Sequence, residues 1–315
     1  MSYTERYTPF FLNFLYKLGK KLLANNRKVV MAIPKVIHYC WFGNNKMSSR
    51  LQNCIKTWRL AMPEYKIREW NDNDLKKMPL NKFVKEAYEC KKWAFVSDYI
   101  RLFVLYTEGG IYLDTDVVVF KSLNDMLNNN FFSAIEYIPE WIIKGNVYNE
   151  YINDDGTLKR GKTGKHVSGM GLLAPIMGAS AKNNLIKAFM DYYESKSFIN
   201  DDGTYYNIPN THTLEPIAYN FGFRYKNVVQ ICKDGITFYP NTIFGNNIGH
   251  YNESQYPLHF CTLSWKQEEN SIYEYIRIKI KQIYKYFKRK NNEIDMVNKL
   301  IDNTIQMLER KKNGT

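Results

Sequence analysis

The sequence predicts an α/β domain on a mostly parallel central sheet, from three observations. Lys35 to Trp41 is a β-branched and aromatic run that reads as a buried strand. Strand-like and helical stretches then alternate to about residue 120, the pattern of crossover connections. A helix ending at Gly109-Gly110 passes into a short strand that finishes in Asp114-Thr115-Asp116.

In chain order, residues 1–30 form a separate element. Phe10, Phe11, Phe14, Leu15, Leu18 and Leu22 share one helical stripe, and Lys17, Lys20, Lys21, Arg27 and Lys28 add positive charge. Such a helix can lie on an anionic bilayer or pack on the domain. Residues 31–268 form the main domain. After the first strand, Ser48 to Ala61 reads as a helix ended by Pro63, and Tyr65 to Trp70 as a second strand. Asn71 to Asp74 turns into a short helix. Asn81 to Lys92 and Trp93 to Glu108 are helical, the latter stopped by its glycine pair. Ile111 to Leu113 is a strand, and Val117 to Phe120 continues extended. From 131 to 206 the pattern loosens: a strand-like Phe131 to Tyr137, a glycine-rich Ser168-Gly169-Met170-Gly171, and the repeat Ile152–Thr157 and Ile199–Thr204, whose composition suits β-turns better than calcium loops. Ala181 to Lys196 and Leu214 to Phe221 read as helices, with late strands at Val228 to Cys232, Ile236 to Tyr239 and Pro257 to Cys261. Residues 269–315 are basic and helical: 271–290 carry seven basic residues against one Glu, and 293–310 form a final helix.

Hydrophobic residues at 45% and charged residues at 24% of 315 exclude wholesale disorder. The formal charge of +13 favours anionic partners such as nucleic acid, phosphorylated small molecules or an acidic membrane. Five cysteines, odd in number and without a Cys-x-x-Cys pair, argue against a disulfide scaffold or structural zinc and fit a reducing cytoplasm. No apolar run reaches the roughly 18 residues of a membrane span, and the start does not read as a signal peptide. A soluble cytoplasmic protein, or one peripheral on the inner face of the membrane, is expected. The 25 Tyr help lift aromatic content to 16%; such faces stack on bases or cover the apolar faces of sugars, or simply fill the core.

Chemistry is expected at Asp114 and Asp116. Carboxylates at the carboxyl end of a buried strand point into the crevice where open α/β sheets bind ligands. Hard oxygen ligands of this kind suit Mg²⁺ or Mn²⁺ with positions left for phosphate oxygens. Without a ligand the paired negative charges would repel. On the preceding helix Asp98 and Arg101 are three apart and share a face, as in any i,i+3 ion pair.

Three segments in order carry a resemblance: Ile33 to Gly43, Ala94 to Arg101, and Gly109 to Asp116. Together they resemble glycosyltransferase family 32, the capsular polysaccharide and sugar-binding DXD glycosyltransferases. The catalytic domain of the clostridial glucosylating toxins is more distantly similar, through Ser97-Asp98-x-x-Arg101 and Asp114-x-Asp116. The resemblance implies a GT-A-type nucleotide-sugar-binding fold and a glycosyltransferase using Mn²⁺ or Mg²⁺, acting with retention in surface polysaccharide or lipopolysaccharide biosynthesis. It implies a nucleotide-sugar donor, a UDP-sugar first, and a saccharide or lipid-linked oligosaccharide acceptor. The basic chain ends would hold such an enzyme on an anionic membrane surface.

Residue by residue, the resemblance implies catalytic roles for Asp98, Arg101, Asp114 and Asp116. Asp98 and Arg101 would bind donor-sugar hydroxyls, Asp114 the ribose or sugar and the metal, and Asp116 the metal and through it the diphosphate. Ile37, His38 and Trp41 would hold the base, with Ser97 and Tyr112 also on the donor. His259, Ser264 and Trp265 would close over the diphosphate, His259 completing the metal shell. Relatives commonly carry Thr-Gly-Pro before the late helix; here Asn210 to Pro216 lacks that glycine, so Glu215 or His212 faces the sugar or the stretch is a plain loop. Inversion would require a carboxylate base, for which Glu136 and Glu215 are candidates.

Two other classes compete. A nucleic-acid-binding protein would interleave basic and aromatic residues across the core and carry a known module; neither is found, so no nucleic-acid partner is expected. A metal-dependent phosphodiesterase or nuclease would draw further acidic or His ligands to Asp114 and Asp116, and no third carboxylate is placed for that.

Overall fold

The computed structural model describes residues 32–162, 164, 166–245, 251–252, 254–260 and 276–313, the stretch 276–293 as helix backbone alone. The expected N-terminal helix, Ser264 and Trp265 lie outside the described residues.

The first strand, β1 (Val36–Cys40), lies inside a seven-stranded sheet between β2 (Lys66–Trp70) and β3 (Gly110–Leu113), parallel to both. Beyond β3 come β6 (Met170–Ala179), β5 (Phe131–Tyr137), β8 (Ile236–Tyr239) and β7 (Gln230–Ile231). Only β6 and β7 run against the others, so five of the seven strands point one way. The predicted mixed α/β architecture with a mostly parallel sheet is therefore the one observed.

Strand alternation sorts the core into two faces. Ile37, Tyr39, Ile111 and Leu113 pack with Ile55 and Trp58 of α1 (Ser49–Ala61). Cys40 and Tyr112 face the opposite layer, built by α3 (Lys82–Glu89), α4 (Trp93–Glu108), α7 (Asn184–Glu194) and α8 (Asn210–Asn220). Local chemistry fixes many ends: Ser48 caps α1, accepting from Leu51 N at 3.4 Å, and Asn71 with Asp74 forms a capping box on α2 (Asp72–Leu75). Gly109, at φ 68°, stops α4, and a Cβ there would meet the Ala181 backbone nitrogen at 2.8 Å.

Four features differ from expectation. The glycine-rich segment begins a ten-residue strand, β6, buried along its whole length. Its Pro175 falls where the β5–β6 register shifts between Ser133 and Ala134, so the missing N–H breaks no ladder bond there. Gly178 lies against the Phe132 ring, where a Cβ would overlap it. Second, β4 (Val117–Val119) leaves the main sheet and pairs with β9 (Pro257–His259) in a separate two-stranded ribbon. Third, α5 (Pro139–Lys144) and α6 (Val147–Glu150) occupy a stretch that shows no helical periodicity. Fourth, the two C-terminal helical stretches run as one helix, α9 (Ile276–Asn313). Val297, Ile301 and Ile305 of α9 pack on Cys54 of α1 and Val118 of β4.

The repeated motif forms a pair of matching turns. Asp155 Oδ1 accepts from Thr157 N and Asp202 Oδ1 from Thr204 N, each at 2.9 Å, with Gly156 and Gly203 at positive φ. No helix among the described residues is long and apolar enough to cross a membrane.

Candidate active site

The carboxyl ends of β1 and β3, the start of α1 and one face of α4 enclose a cleft of about 680 Å³. Parity along β3 puts Tyr112 and Asp114 on the α4 side, and the α4 spacing sets Asp98 and Arg101 opposite them. Asp114 N donates to Pro175 O at 2.9 Å and Val117 N to Asp114 O at 3.0 Å. This turn carries Asp116 to the mouth of the cleft.

Arg101, only 5% exposed in its side chain, ties the wall together. Its Nη2 meets Asp98 Oδ1 at 3.0 Å and Asp114 Oδ1 at 3.4 Å. Nη1 donates to Ala174 O at 3.0 Å, Nε to Ser97 O at 3.2 Å, and the guanidinium lies 4.7 Å from the Tyr112 ring centroid. Every guanidinium nitrogen thus faces a protein oxygen. The fork expected to grip sugar hydroxyls is instead committed to holding two carboxylates and the β6 backbone. Burial opposes its charge, but Asp114 and Asp98 more than compensate and raise its pKa above the ordinary arginine value.

Asp98 also accepts from Asn210 Nδ2 at 2.6 Å, and Asp114 accepts from the Tyr112 hydroxyl at 3.0 Å. Asp98 is pushed up to about 6, chiefly by burial, with Arg101 and Asn210 opposing and Asp114 adding. A carboxyl with a raised folded pKa holds its proton more tightly when folded. Its contribution to stability is therefore complete below the ordinary carboxylate pKa of about 4 and is lost as pH rises through about 6. The stability of the protein relative to Asp98→Asn should fall between those pH values and level off above them. Urea midpoints of the two proteins across that range check this; a constant difference contradicts it.

The β4–β9 ribbon pairs Val117 with His259 and brings the imidazole to the strand that follows Asp116. His259 Nε2 lies 3.2 Å from Asp116 Oδ1. Asp114, Asp116 and His259 each offer a ligand atom within 4.8 Å of the others, a group that can hold a divalent ion.

Of the other expected donor-site residues, Trp41, Ser97 and Tyr112 line the cleft. Trp41 is steadied by donating Nε1 to Asn45 O at 2.7 Å. Its loop is drawn to α4 because Gly43 has no side chain: a Cβ there would meet the Trp93 indole at 2.7 Å. Ile37 and His38 do not reach the cleft. Ile37 is fully buried on the α1 face, where strand parity points it. His38 is fully buried too, accepting from Trp70 Nε1 at 3.1 Å through Nδ1, while Nε2 donates to Gly109 O at 2.9 Å. Burial lowers its pKa and keeps the ring neutral, so it locks β1 to β2 and to the glycine turn.

The Asn210 to Pro216 stretch is the body of α8, not a loop. Glu215 is fully buried and does not line the cleft, accepting from Val167 N at 3.1 Å and paired with His166 Nδ1 at 2.9 Å. His212 stacks on His166 with centroids 3.5 Å apart and is pushed down to about 4 by burial and by that neighbour. Glu136, by contrast, lines the cleft; burial raises its pKa, with His166 opposing and Glu215 adding. Sequence reasoning missed Asn210, which steadies Asp98, and Arg50 and Lys46, which also line the cleft.

Residues 48–133 match the family model for the glycosyltransferase sugar-binding region containing the DXD motif. The chain is 31% identical over 130 residues to an uncharacterized glycosyltransferase of Acanthamoeba polyphaga mimivirus, covering 38% of this chain and 48% of that protein. It is 29% identical over 147 residues to inositol phosphoceramide mannosyltransferase 3 of Schizosaccharomyces pombe, covering 42% of this chain and 36% of that one. It therefore spans less than half the length of either relative. Among solved structures, the PaToxG glycosyltransferase is similar at 16% identity, covering 57% of this chain and 67% of that one, at a TM-score of 0.38. Over residues 48–133, then, the chain is similar to the sugar-binding region of DXD-containing glycosyltransferases.

Proposed function

We propose that the protein is a glycosyltransferase of the family 32 type, with a GT-A-type fold, that moves a sugar from a nucleotide-sugar donor to a saccharide or lipid-linked acceptor. The observation that carries this reading is the meeting of Asp114, Asp116 and His259 in the same cleft as the Asp98–Arg101 pair. The two carboxylates and the imidazole would hold a divalent cation, and an oxygen-and-nitrogen set suits Mn²⁺ better than the all-oxygen shell Mg²⁺ prefers. Such an ion supplies charge stabilisation to a departing nucleoside diphosphate.

The chain's own groups do the rest. Trp41 offers an aromatic face for a nucleotide base near the exit of β1. Asp98, fixed by Arg101 and Asn210, accepts from hydroxyls of the transferred sugar, while Arg101 keeps Asp98 and Asp114 aligned. Retention follows from the resemblance, with the leaving phosphate taking the acceptor proton on the same face. Inversion would need a carboxylate at the acceptor hydroxyl, and Glu136 is the candidate that lines the cleft. The anomeric coupling constant of the product separates the two outcomes.

A UDP-sugar is the first donor to try and a surface-polysaccharide precursor the first acceptor. The basic chain ends suit a protein held at an anionic cytoplasmic leaflet, each Lys or Arg there adding about 1 kcal/mol. Flotation with liposomes tests this, and indifference to anionic lipid contradicts it. The donor reading is tested by thermal shift with UDP-, GDP- and CMP-sugars, with and without Mn²⁺. A donor at a hundred times its Kd adds about 2.7 kcal/mol of apparent stability. A metal-dependent shift with one nucleotide class is expected; no shift with any contradicts it.

A further inference from the structure

The cleft that holds the metal-ligand group is also lined by two cations, Lys46 and Arg50, for which the proposed chemistry has as yet no use. The cleft's third, Arg101, is consumed by Asp98 and Asp114. Among the described residues neither Lys46 nor Arg50 forms an ion pair, and Arg50 Nε is buried without a hydrogen-bond partner. A polar group left so is destabilising unless something satisfies it.

Arg50 is also out of place as a structural residue. It sits in the first turn of α1, which holds no acidic side chain, and there a cation opposes the positive end of the helix dipole. A residue kept for helix stability at that position would be acidic or neutral. One turn further along, the buried Cys54 thiol is driven up by burial, with Asp116 adding and Arg50 opposing. Arg50 lines the same cleft as Asp114, Asp116 and His259, and its guanidinium forms an ion pair with none of them.

We infer that Arg50, assisted by Lys46, is the protein's own cation for the diphosphate of the donor, gripping it from the start of α1 and acting together with the divalent ion that Asp114, Asp116 and His259 would hold. This rests on the nucleotide-sugar reading. A fixed guanidinium fork matches phosphate oxygens two at a time, which a lysine in its place cannot do. The cleft would then present two sources of anion-binding charge to the leaving group and leave the sugar to the Asp98 wall.

The test is calorimetry of wild type, Arg50→Gln and Arg50→Lys with UDP, GDP, uridine and Mn²⁺ alone. Arg50→Gln should weaken binding of the diphosphate by about tenfold or more, the size of one lost charge-assisted hydrogen bond. Arg50→Lys should recover part of that loss. Uridine affinity should be unchanged, Mn²⁺ alone should bind no more weakly, and the thermal midpoint without ligand should hold or rise as the dipole conflict is relieved. If wild type binds a nucleoside diphosphate and Arg50→Gln binds it equally well, the inference is overturned. If Arg50→Gln loses Mn²⁺ and the diphosphate together, Arg50 only shapes the metal site and the inference is again overturned. If wild type binds neither diphosphate in the presence of Mn²⁺, the nucleotide-sugar reading fails and takes the inference with it.

Discussion

Asp116→Asn is expected to reduce turnover of a nucleotide sugar by about 10²-fold or more, the usual cost of losing a preorganised electrostatic contact to a departing anion. The substitution keeps the shape of the side chain, so the turn between β3 and β4 should survive. Removing one of two neighbouring negative charges relieves repulsion in the metal-free protein, whose thermal midpoint should hold or rise. The stabilisation that Mn²⁺ and donor confer together should vanish. A variant that keeps wild-type turnover, or that loses turnover only because it unfolds, would remove Asp116 from the account.

The largest effect on stability is expected at Arg101. Arg101→Met strands Asp98 and Asp114, the first nearly buried and both held by the same guanidinium. Breaking a buried ion pair from one side costs about 3–5 kcal/mol, because the remaining charge is left uncompensated. Adding Asp98→Asn to Arg101→Met should recover part of that loss, a non-additivity expected of groups in direct contact. Urea denaturation of the single and double variants measures both. A loss below about 1 kcal/mol for Arg101→Met would mean that solvent already screens the pair.

Local chemistry made much of this structure legible in the sequence. Ser48, the Asn71–Asp74 pair and Gly109 act on neighbours a few residues away, so α1, α2 and the end of α4 could be read directly. The Asp114-Thr115-Asp116 segment was visible because a strand ending in two carboxylates stands out against an apolar background. Long-range pairing was not legible. Nothing near Val117 says that it leaves the main sheet for a partner at His259, and that pairing is what carries the imidazole to Asp116. The β6 strand hid behind Gly171, Pro175 and Gly178, residues that ordinarily argue against a central strand; each is tolerated at a close approach or a register shift. His38 misled for a different reason. The resemblance implied a base contact for it, but strand geometry turns it inward, where Trp70 and Gly109 satisfy both ring nitrogens. The commitment of Arg101 to its own wall was equally invisible, since an i,i+3 pair in sequence does not say which partners lie across a sheet.

The central claim is sugar transfer from a nucleotide donor, and product analysis tests it most directly. The protein is incubated with a nucleotide sugar, Mn²⁺ and a saccharide acceptor, and the products are identified by mass spectrometry. The account predicts a nucleoside diphosphate together with an acceptor heavier by one sugar residue, or a free sugar where water takes the acceptor's place. Formation of both should be lost in Asp116→Asn. Release of a nucleoside monophosphate with a sugar phosphate would instead mark cleavage within the diphosphate, the reaction of a phosphodiesterase, and would contradict it.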